Sequence, residues 1–281
     1  MKKWQYNSSL YNSMTDNAYV CVLSTESYVP GVLALAYSLC AVKTKFPFFV
    51  LVPEHQHAQF SHILSAYSIR VLSAPPIEID ADILDQSVVD QRVSYWRDTF
   101  FKLQIAKLKQ FTKIVLLDAD MIVLRNIDHV FAFPHMSAVA AGQIKHPHWV
   151  QLNSGFMVIE PTDSFEYLVQ SCLPHAIQEL CALGNSFGDQ DIFNYCYKDW
   201  PKRTELHLPE VYNTMTDCIN LVANRDGLSK IYIAHFIGKT KPWHYTKEFL
   251  FKRFKEGMRY MQLSEFILTM KYIAFLRKSR F

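Results

Sequence analysis

The chain has 281 residues, half of them hydrophobic, and a formal net charge of +3, which is enough apolar material for one large core or at most two small ones. The positive charge is local: residues 247–281 hold nine Lys or Arg against three Glu, a surplus of six, so the remainder stands at −3. A balance of this kind gives no general argument for nucleic acid as a partner, and none is expected.

Six cysteines (Cys21, Cys40, Cys172, Cys181, Cys196, Cys218) lie far apart with no C-x-x-C pair, so free thiols in a reducing compartment are expected. Met1-Lys2-Lys3-Trp4 is a basic start with no apolar stretch after it, which is not a signal peptide. No uncharged apolar run approaches the roughly 20 residues that span a bilayer. A soluble, cytoplasmic chain is expected; delivery into another cell by a specialised route would leave no mark readable here.

Residues 1–17 are read as an N-terminal tail. Ala18 to Ser24 is a short apolar run expected as a buried strand, and Tyr28 to Leu39 a helix with Pro30 near its start, where a missing N–H costs little. Phe46 to Val52 is a second strand, Glu54 to Tyr67 a helix, and Ile69 to Leu72 a third strand. Strands alternating with helices of this length imply an α/β fold with a mostly parallel sheet flanked by helices. Ligands then sit beyond the carboxyl ends of the strands, which places Ser24, Thr25 and Glu26 on that rim. Residues 74–93, with Pro75-Pro76 and many acids, read as loop, and Tyr95 to Gln110 as a helix with Lys102 in its middle.

Lys113 to Leu124 is the stretch with the most unusual chemistry. A β-branched apolar run meets Asp118-Ala119-Asp120 and leaves as a second apolar run, a buried strand with two carboxylates at its end. Two like charges in a dry site need a counter-charge, and a divalent cation is the common solution. The plainer alternative is that Asp118 turns the chain and Asp120 is solvated. Asn126 to Phe131 is a turn and short helix, and Ser137 to Ala141 a strand. Gly142 to Gln151 is irregular; its His146 and His148 read as surface histidines for want of a third ligand. Leu152 to Glu160 puts Asn153-Ser154-Gly155 ahead of another strand. Thr162 to Cys181 is a helix with an N-cap at Thr162 and a kink expected at Pro174. Gly188-Asp189-Gln190-Asp191 opens a further helix over Ile192 to Tyr197, and Asp189 suits either a capping or a functional role.

Ile231 to Trp243 runs as a strand into His235, then Gly238-Lys239-Thr240-Lys241-Pro242-Trp243. The Gly-Lys-Thr triplet mimics a phosphate-binding loop, but that motif needs a glycine where Ile233 stands, so a P-loop kinase is rejected. What remains is His235 as a metal ligand with Asp118 and Asp120, Gly238 allowing close backbone approach, and Lys241 placed to neutralise phosphate oxygens. Two carboxylates and an imidazole suit Mn²⁺ or Mg²⁺.

Taken in order, the strand at Ala18 with Tyr28 and Gly31 beyond it, Phe101-Lys102-Leu103, Leu117-Asp118-Ala119-Asp120, Asn153-Ser154-Gly155, Gly188-Asp189-Gln190 and His235 to Trp243 resemble the family 8 glycosyltransferases, retaining enzymes of GT-A fold that include glycogenin and galactinol synthase. The resemblance spans about four-fifths of the chain, with a GT-A domain at 18–246 and a basic C-terminal helical segment at 247–281. It implies a UDP-sugar donor bound with Mn²⁺. Asp118, Asp120 and His235 would be the metal ligands; Asp118-Ala119-Asp120, Gly238 and Lys241 would contact the diphosphate region, Lys102 the donor, and Ser24 and Thr25 its uracil and ribose. Asn153, Asp189 and Gln190 would face the transferred sugar as the catalytic group.

Two departures bear on substrate. Glycogenin-like enzymes carry an acid three residues before the matched Asp189, where this chain has Ser186, so contacts to the sugar hydroxyls must differ. The family's self-glucosylating tyrosine would fall near Cys218 to Asn220, where there is none, so the acceptor is expected to be another molecule, a glycan, protein or polyol. Beyond Trp243, Glu248 to Met261 and Leu263 to Arg277 are helical patterns mixing aromatic and basic residues, suited either to packing on the catalytic domain or to an anionic membrane surface or protein partner. The function expected is metal-dependent transfer of a hexose from a UDP-sugar; the rival is a catalytically silent nucleotide-sugar-binding scaffold, with a two-metal phosphohydrolase a distant third for lack of further His and Asp ligands.

Overall fold

The computed structural model describes residues 16–77, 99–140, 142–183 and 187–280. The readings of a tail up to residue 15, of the loop after residue 77, of the start of the 95–110 helix, and of Ala141 and Ser186 fall outside them.

In chain order the strands are β1 (Asn17–Val22), β2 (Phe48–Pro53), β3 (Arg70–Ala74), β4 (Lys113–Leu117), β5 (Met121–Val123), β6 (Ala138–Val139), β7 (Asn153–Ile159), β8 (Thr214–Met215) and β9 (Ile233–His235). The α-helices are α1 (Val29–Ala41), α2 (His57–Ser65), α3 (Asp163–Ala182), α4 (Asp189–Cys196), α5 (Ile219–Asp226), α6 (Lys247–Tyr260) and α7 (Ser264–Arg280). One sheet has six strands in the order β3-β2-β1-β4-β7-β6, with β3, β2, β1 and β4 parallel and β7 antiparallel to β4. Strands β1, β2, β4 and β7 fall on the apolar runs because a sheet covered on both faces needs apolar residues on both: all six residues of β2 and all seven of β7 are buried. One side of the sheet packs Phe101, Leu116 and Phe193, the other Leu35, Val50 and Phe156.

A second sheet, β5-β9-β8, pairs Met121 with His235 antiparallel and Met215 with His235 in parallel. The Asp118-Ala119-Asp120 turn carries the chain from the first sheet to the second. Gly31 makes that passage possible, since a Cβ there would lie 2.5 Å from the Ala119 carbonyl and 2.9 Å from the Trp243 ring; a glycine on α1 lets the helix lie against the turn.

Several local expectations are corrected. Within the described residues the 95–110 segment is α-helical at Thr99–Phe100 and tightens to a 3-10 helix over Phe101–Lys107, with Phe101, Leu103, Gln104, Ile105 and Ala106 buried. The 137–141 strand shrinks to β6, and the strand from Ile231 into His235 to β9. Thr162 caps α3 by accepting from the Phe165 N–H, and that helix runs on through Pro174 to Ala182. The two C-terminal helices are laid differently. Leu268, Tyr272 and Leu276 of α7 are buried with Ala34, Ile122 and Phe236, whereas in α6 only Gly257 is buried. Among the described residues no helix is long and apolar enough to cross a membrane.

Candidate active site

The antiparallel pairing of β4 with β7 sets Leu117 opposite Phe156, so the carboxyl end of one strand lies beside the amino end of the other. Asp118 therefore donates its N–H to the Gly155 carbonyl at 3.0 Å, and Asn153-Ser154 arrive next to the acids. From the second sheet, His235 places Nε2 3.2 Å from Asp120 Oδ1 and 3.8 Å from Asp118 Oδ2. One ligand atom from each of these three residues lies within 4.8 Å of the others, the one such cluster among the described residues. Two carboxylates and an imidazole that converge this closely could hold a divalent cation.

Two lysines balance the acids from opposite sides. Lys102 Nζ sits 2.8 Å from both Asp118 Oδ1 and Asp189 Oδ2, and Lys241 Nζ sits 2.6 Å from Asp120 Oδ2. Burial would lower the Lys102 ammonium, but Asp118 and Asp189 outweigh it and hold it well above its usual value. The two aspartates are pushed apart. Burial raises Asp118, against the pull of Lys102 and with the push of Asp120; burial acts the same way on Asp120, but His235 and Lys241 hold that carboxyl well below the usual range.

Asp189 is the first residue of α4, whose start is closed by the Gly188 N–H donating to Asp191 Oδ2 at 2.8 Å. With Asp191 doing the capping, Asp189 is free to turn inward, where Ser154 Oγ donates to its Oδ2 at 2.7 Å. Gln190 Oε1 accepts from Asn153 Nδ2 at 2.7 Å. A cleft of about 320 Å³ opens over this group, lined by Ser24, Thr25, Tyr28, Lys102, Asp118, Ala119, Asp120 and Asp189 among others. A larger hollow of about 450 Å³ lies elsewhere, between Pro75-Pro76 and α3, and holds none of these residues.

The structure thus brings together Ser24, Thr25, Lys102, Asp118, Ala119, Asp120, Asp189 and, through hydrogen bonds, Asn153, Gln190, His235 and Lys241. Gly238 stands in the turn between His235 and Lys241 at φ +107° with nothing within 4 Å of where a Cβ would be, and Lys239 and Thr240 are exposed. His146 and His148 are exposed, away from the acids. Lys102 is half-buried in an ion-pair network with Asp118 and Asp189. Sequence reasoning missed Asn213 altogether. It is fully buried, donates Nδ2 to Asn153 Oδ1 at 2.7 Å and meets His235 Nδ1 at 2.9 Å through its Oδ1; nothing in its local sequence marks it. Ser154, quoted only as part of a motif, proves to bind Asp189.

A mostly parallel sheet ending in an Asp-x-Asp turn under a cleft is the GT-A glycosyltransferase arrangement, and solved structures of that fold superpose on the chain. The galactosyltransferase LgtC, in complex with donor and acceptor sugar analogues, matches with a TM-score of 0.55 at 17% identity, covering 85% of this chain and 94% of its own. The glycosyltransferase GlyE of Streptococcus pneumoniae matches with a TM-score of 0.53 at 18% identity, covering 94% and 63%. Residues 19–247 match the model of glycosyl transferase family 8, and the chain belongs to that family. Similar relatives are UDP-glucuronate:xylan alpha-glucuronosyltransferase 2 of Arabidopsis thaliana, 31% identical over 232 residues, and Glycogenin-1 of Oryctolagus cuniculus, 30% identical over 243. The matched regions take in 80% and 83% of this chain but 35% and 67% of those proteins.

Proposed function

We propose that the protein is a metal-dependent retaining glycosyltransferase that moves a hexose from a UDP-sugar to an acceptor other than itself. The observation that carries this reading is the convergence of Asp118, Asp120 and Asp189 on one cleft that Ser24 and Thr25 also line, with His235 and Lys241 against the two metal-side acids. Relatives named for a UDP-sugar donor and for galactosyl transfer support it.

Breaking a sugar–phosphate bond develops negative charge on the diphosphate and positive charge on the ring, so the protein must stabilise both. Asp118, Asp120 and His235 would hold Mn²⁺, or Mg²⁺, which supplies Lewis-acid stabilisation of the diphosphate. Lys241, already 2.6 Å from Asp120, is the ammonium within reach of the same oxygens, and the positive φ of Gly238 turns the backbone ahead of it. Ser24 and Thr25 would receive the uridine. Asp189, held by Lys102 at 2.8 Å and by Ser154 at 2.7 Å, would face the ring carbon where positive charge grows, with Gln190 and Asn153 at the sugar hydroxyls. The acceptor would attack from the leaving-group side with a phosphate oxygen taking its proton. The absence of a tyrosine over Cys218 to Asn220 supports an external acceptor.

The test is UDP release by the purified protein from a panel of UDP-sugars with Mn²⁺, Mg²⁺ or chelator, beside Asp120→Asn. Metal-dependent release from one donor, lost in the variant, is expected. Metal-dependent UDP binding with no release from any donor, across glycan, protein and polyol acceptors, would instead favour the silent scaffold.

A further inference from the structure

We propose that Asn213 is the positioning residue that sets His235 for the metal and ties it to the sugar-facing amides; the inference rests on the metal reading above. The argument is an accounting of donors and acceptors. The Gly155 N–H can only donate, and it donates to Asn153 Oδ1 at 3.0 Å, which fixes which end of that amide is oxygen. The same oxygen lies 2.7 Å from Asn213, so Asn213 must present its Nδ2 there. Its Oδ1 is then left facing His235 Nδ1 at 2.9 Å, and only a protonated Nδ1 satisfies it. When the ring serves as a metal ligand its one hydrogen would therefore sit on Nδ1, leaving Nε2, the atom nearest Asp118 and Asp120, for the ion. From Asn153 the chain continues to Gln190 Oε1. One buried amide thus orients both the metal-side histidine and the sugar-side pair.

The test measures Mn²⁺ affinity by electron paramagnetic resonance of the protein without donor, then kcat and KM with donor and acceptor. Asn213→Leu keeps the volume and removes both bonds, and Mn²⁺ binding is expected to weaken about 10- to 100-fold. Asn213→Asp keeps an acceptor for Nδ1 but cannot donate to Asn153, so Mn²⁺ affinity should stay near that of the wild type while kcat falls. Wild-type affinity in Asn213→Leu, or equal weakening in both variants, overturns the proposal, as does a matched loss of melting temperature with metal affinity unchanged, which marks a structural role. If the wild type itself binds no Mn²⁺, the metal reading falls and the relay falls with it; if only the variants behave unexpectedly, the metal reading stands.

A separate observation concerns α6. Phe251, Phe254, Met258 and Met261 are 58%, 38%, 51% and 87% exposed, and their 3-4-3 spacing puts them on one face of the helix and its cap. Lys252, Lys255 and Arg259, all exposed, border that face. One edge of that face is tied to α7, by the Arg253–Glu265 ion pair at 2.6 Å, the Phe254–Phe266 ring contact at 5.2 Å and the close fit of Gly257 against Leu263. We infer that this face lies on an anionic lipid surface: the segment carries a surplus of six positive charges while the rest of the chain is at −3, so the complement is a negatively charged plane that also accepts aromatic and thioether side chains. Sedimentation with phosphatidylcholine vesicles, with and without phosphatidylglycerol, checks it. Binding to the anionic vesicles alone is expected, reduced at least about tenfold in Lys252→Glu/Lys255→Glu and in Phe251→Ser/Met258→Ser. Equal recovery in the supernatant with both vesicles overturns it, as does a dimer in solution that only the apolar variant dissociates.

Discussion

The two sheets that meet at the Asp118-Ala119-Asp120 turn are built on different terms. The six-stranded sheet is dry: β1, β2, β4 and β7 are filled by residues such as Val50, Leu116 and Phe156 at 0% exposure, and hydrophobic burial holds it. The three-stranded sheet has strands of two or three residues; it ends in His235 and is flanked by Asp120, just before β5, and Asn213, just before β8, all buried and all polar. Buried polar groups are stable only when each is paired. Most of the first sheet can therefore change without touching the site, the exception being Asn153 and Ser154 at the start of β7, while in the second a site residue lies on or beside every strand.

The largest expected effect lies in the dry sheet. Phe156→Ala should cost about 3–5 kcal/mol through transfer and cavity terms, read as a fall in the urea midpoint, with the turnover of the fraction that stays folded largely kept; loss of turnover at unchanged stability would erase the contrast. Across the turn, Asp120→Asn leaves His235 and Lys241 short of their partner. It should lower kcat/KM by at least about 10²-fold, the scale of removing one charge-stabilising contact, with a smaller shift in melting temperature.

A pH test separates the two further. His135 accepts the Glu160 N–H on Nδ1 and meets the Tyr197 hydroxyl on Nε2, each at 2.9 Å, and burial pushes it from its ordinary 6.5 down to about 4. The unfolded chain therefore takes up the proton first. Stability is intact above pH 6.5 and is lost as pH falls toward 4, by at most about 3 kcal/mol from this group. Denaturant midpoints at pH 7 and pH 5 should differ less in His135→Asn, whose Oδ1 can still take the Glu160 N–H; an undiminished difference would assign the effect elsewhere.

Two glycines give the finest comparison. A Cβ on Gly155 would lie 2.6 Å from His235 Cε1 and 2.9 Å from Asn153 Oδ1, so Gly155→Ala should cost about 1–3 kcal/mol and cut activity together with it. Gly238 has open space but φ +107°, so Gly238→Ala should cost only about 1 kcal/mol of backbone strain. Its melting curve should shift less than that of Gly155→Ala; the reverse order would mean that the loop packs more tightly than its surroundings show.

Much of the site was legible because its residue types are unusual where they stand. Asp118 and Asp120 interrupt an apolar run, and His235 and Lys241 follow a short buried strand, so each drew attention on chemical grounds before any resemblance was named. Lys102 did not, since a lysine in a helix-like stretch reads as solvated until Asp118 and Asp189 are seen on either side of it. Asn213 had no pattern at all. Its importance comes from contacts 22 and 60 residues away along the chain, and no local period records those.

The sequence by itself determined the class of fold, the large sheet's strands and the acids at its edge, because burial on two faces and charge in an apolar run are local properties of composition and period. It could not determine that β7 runs antiparallel to β4, that β5, β8 and β9 form a second sheet, or that α7 joins the core while α6 stays outside. Those follow from pairing register and from which apolar faces meet, and both are settled only when distant segments compete for the same partners in three dimensions.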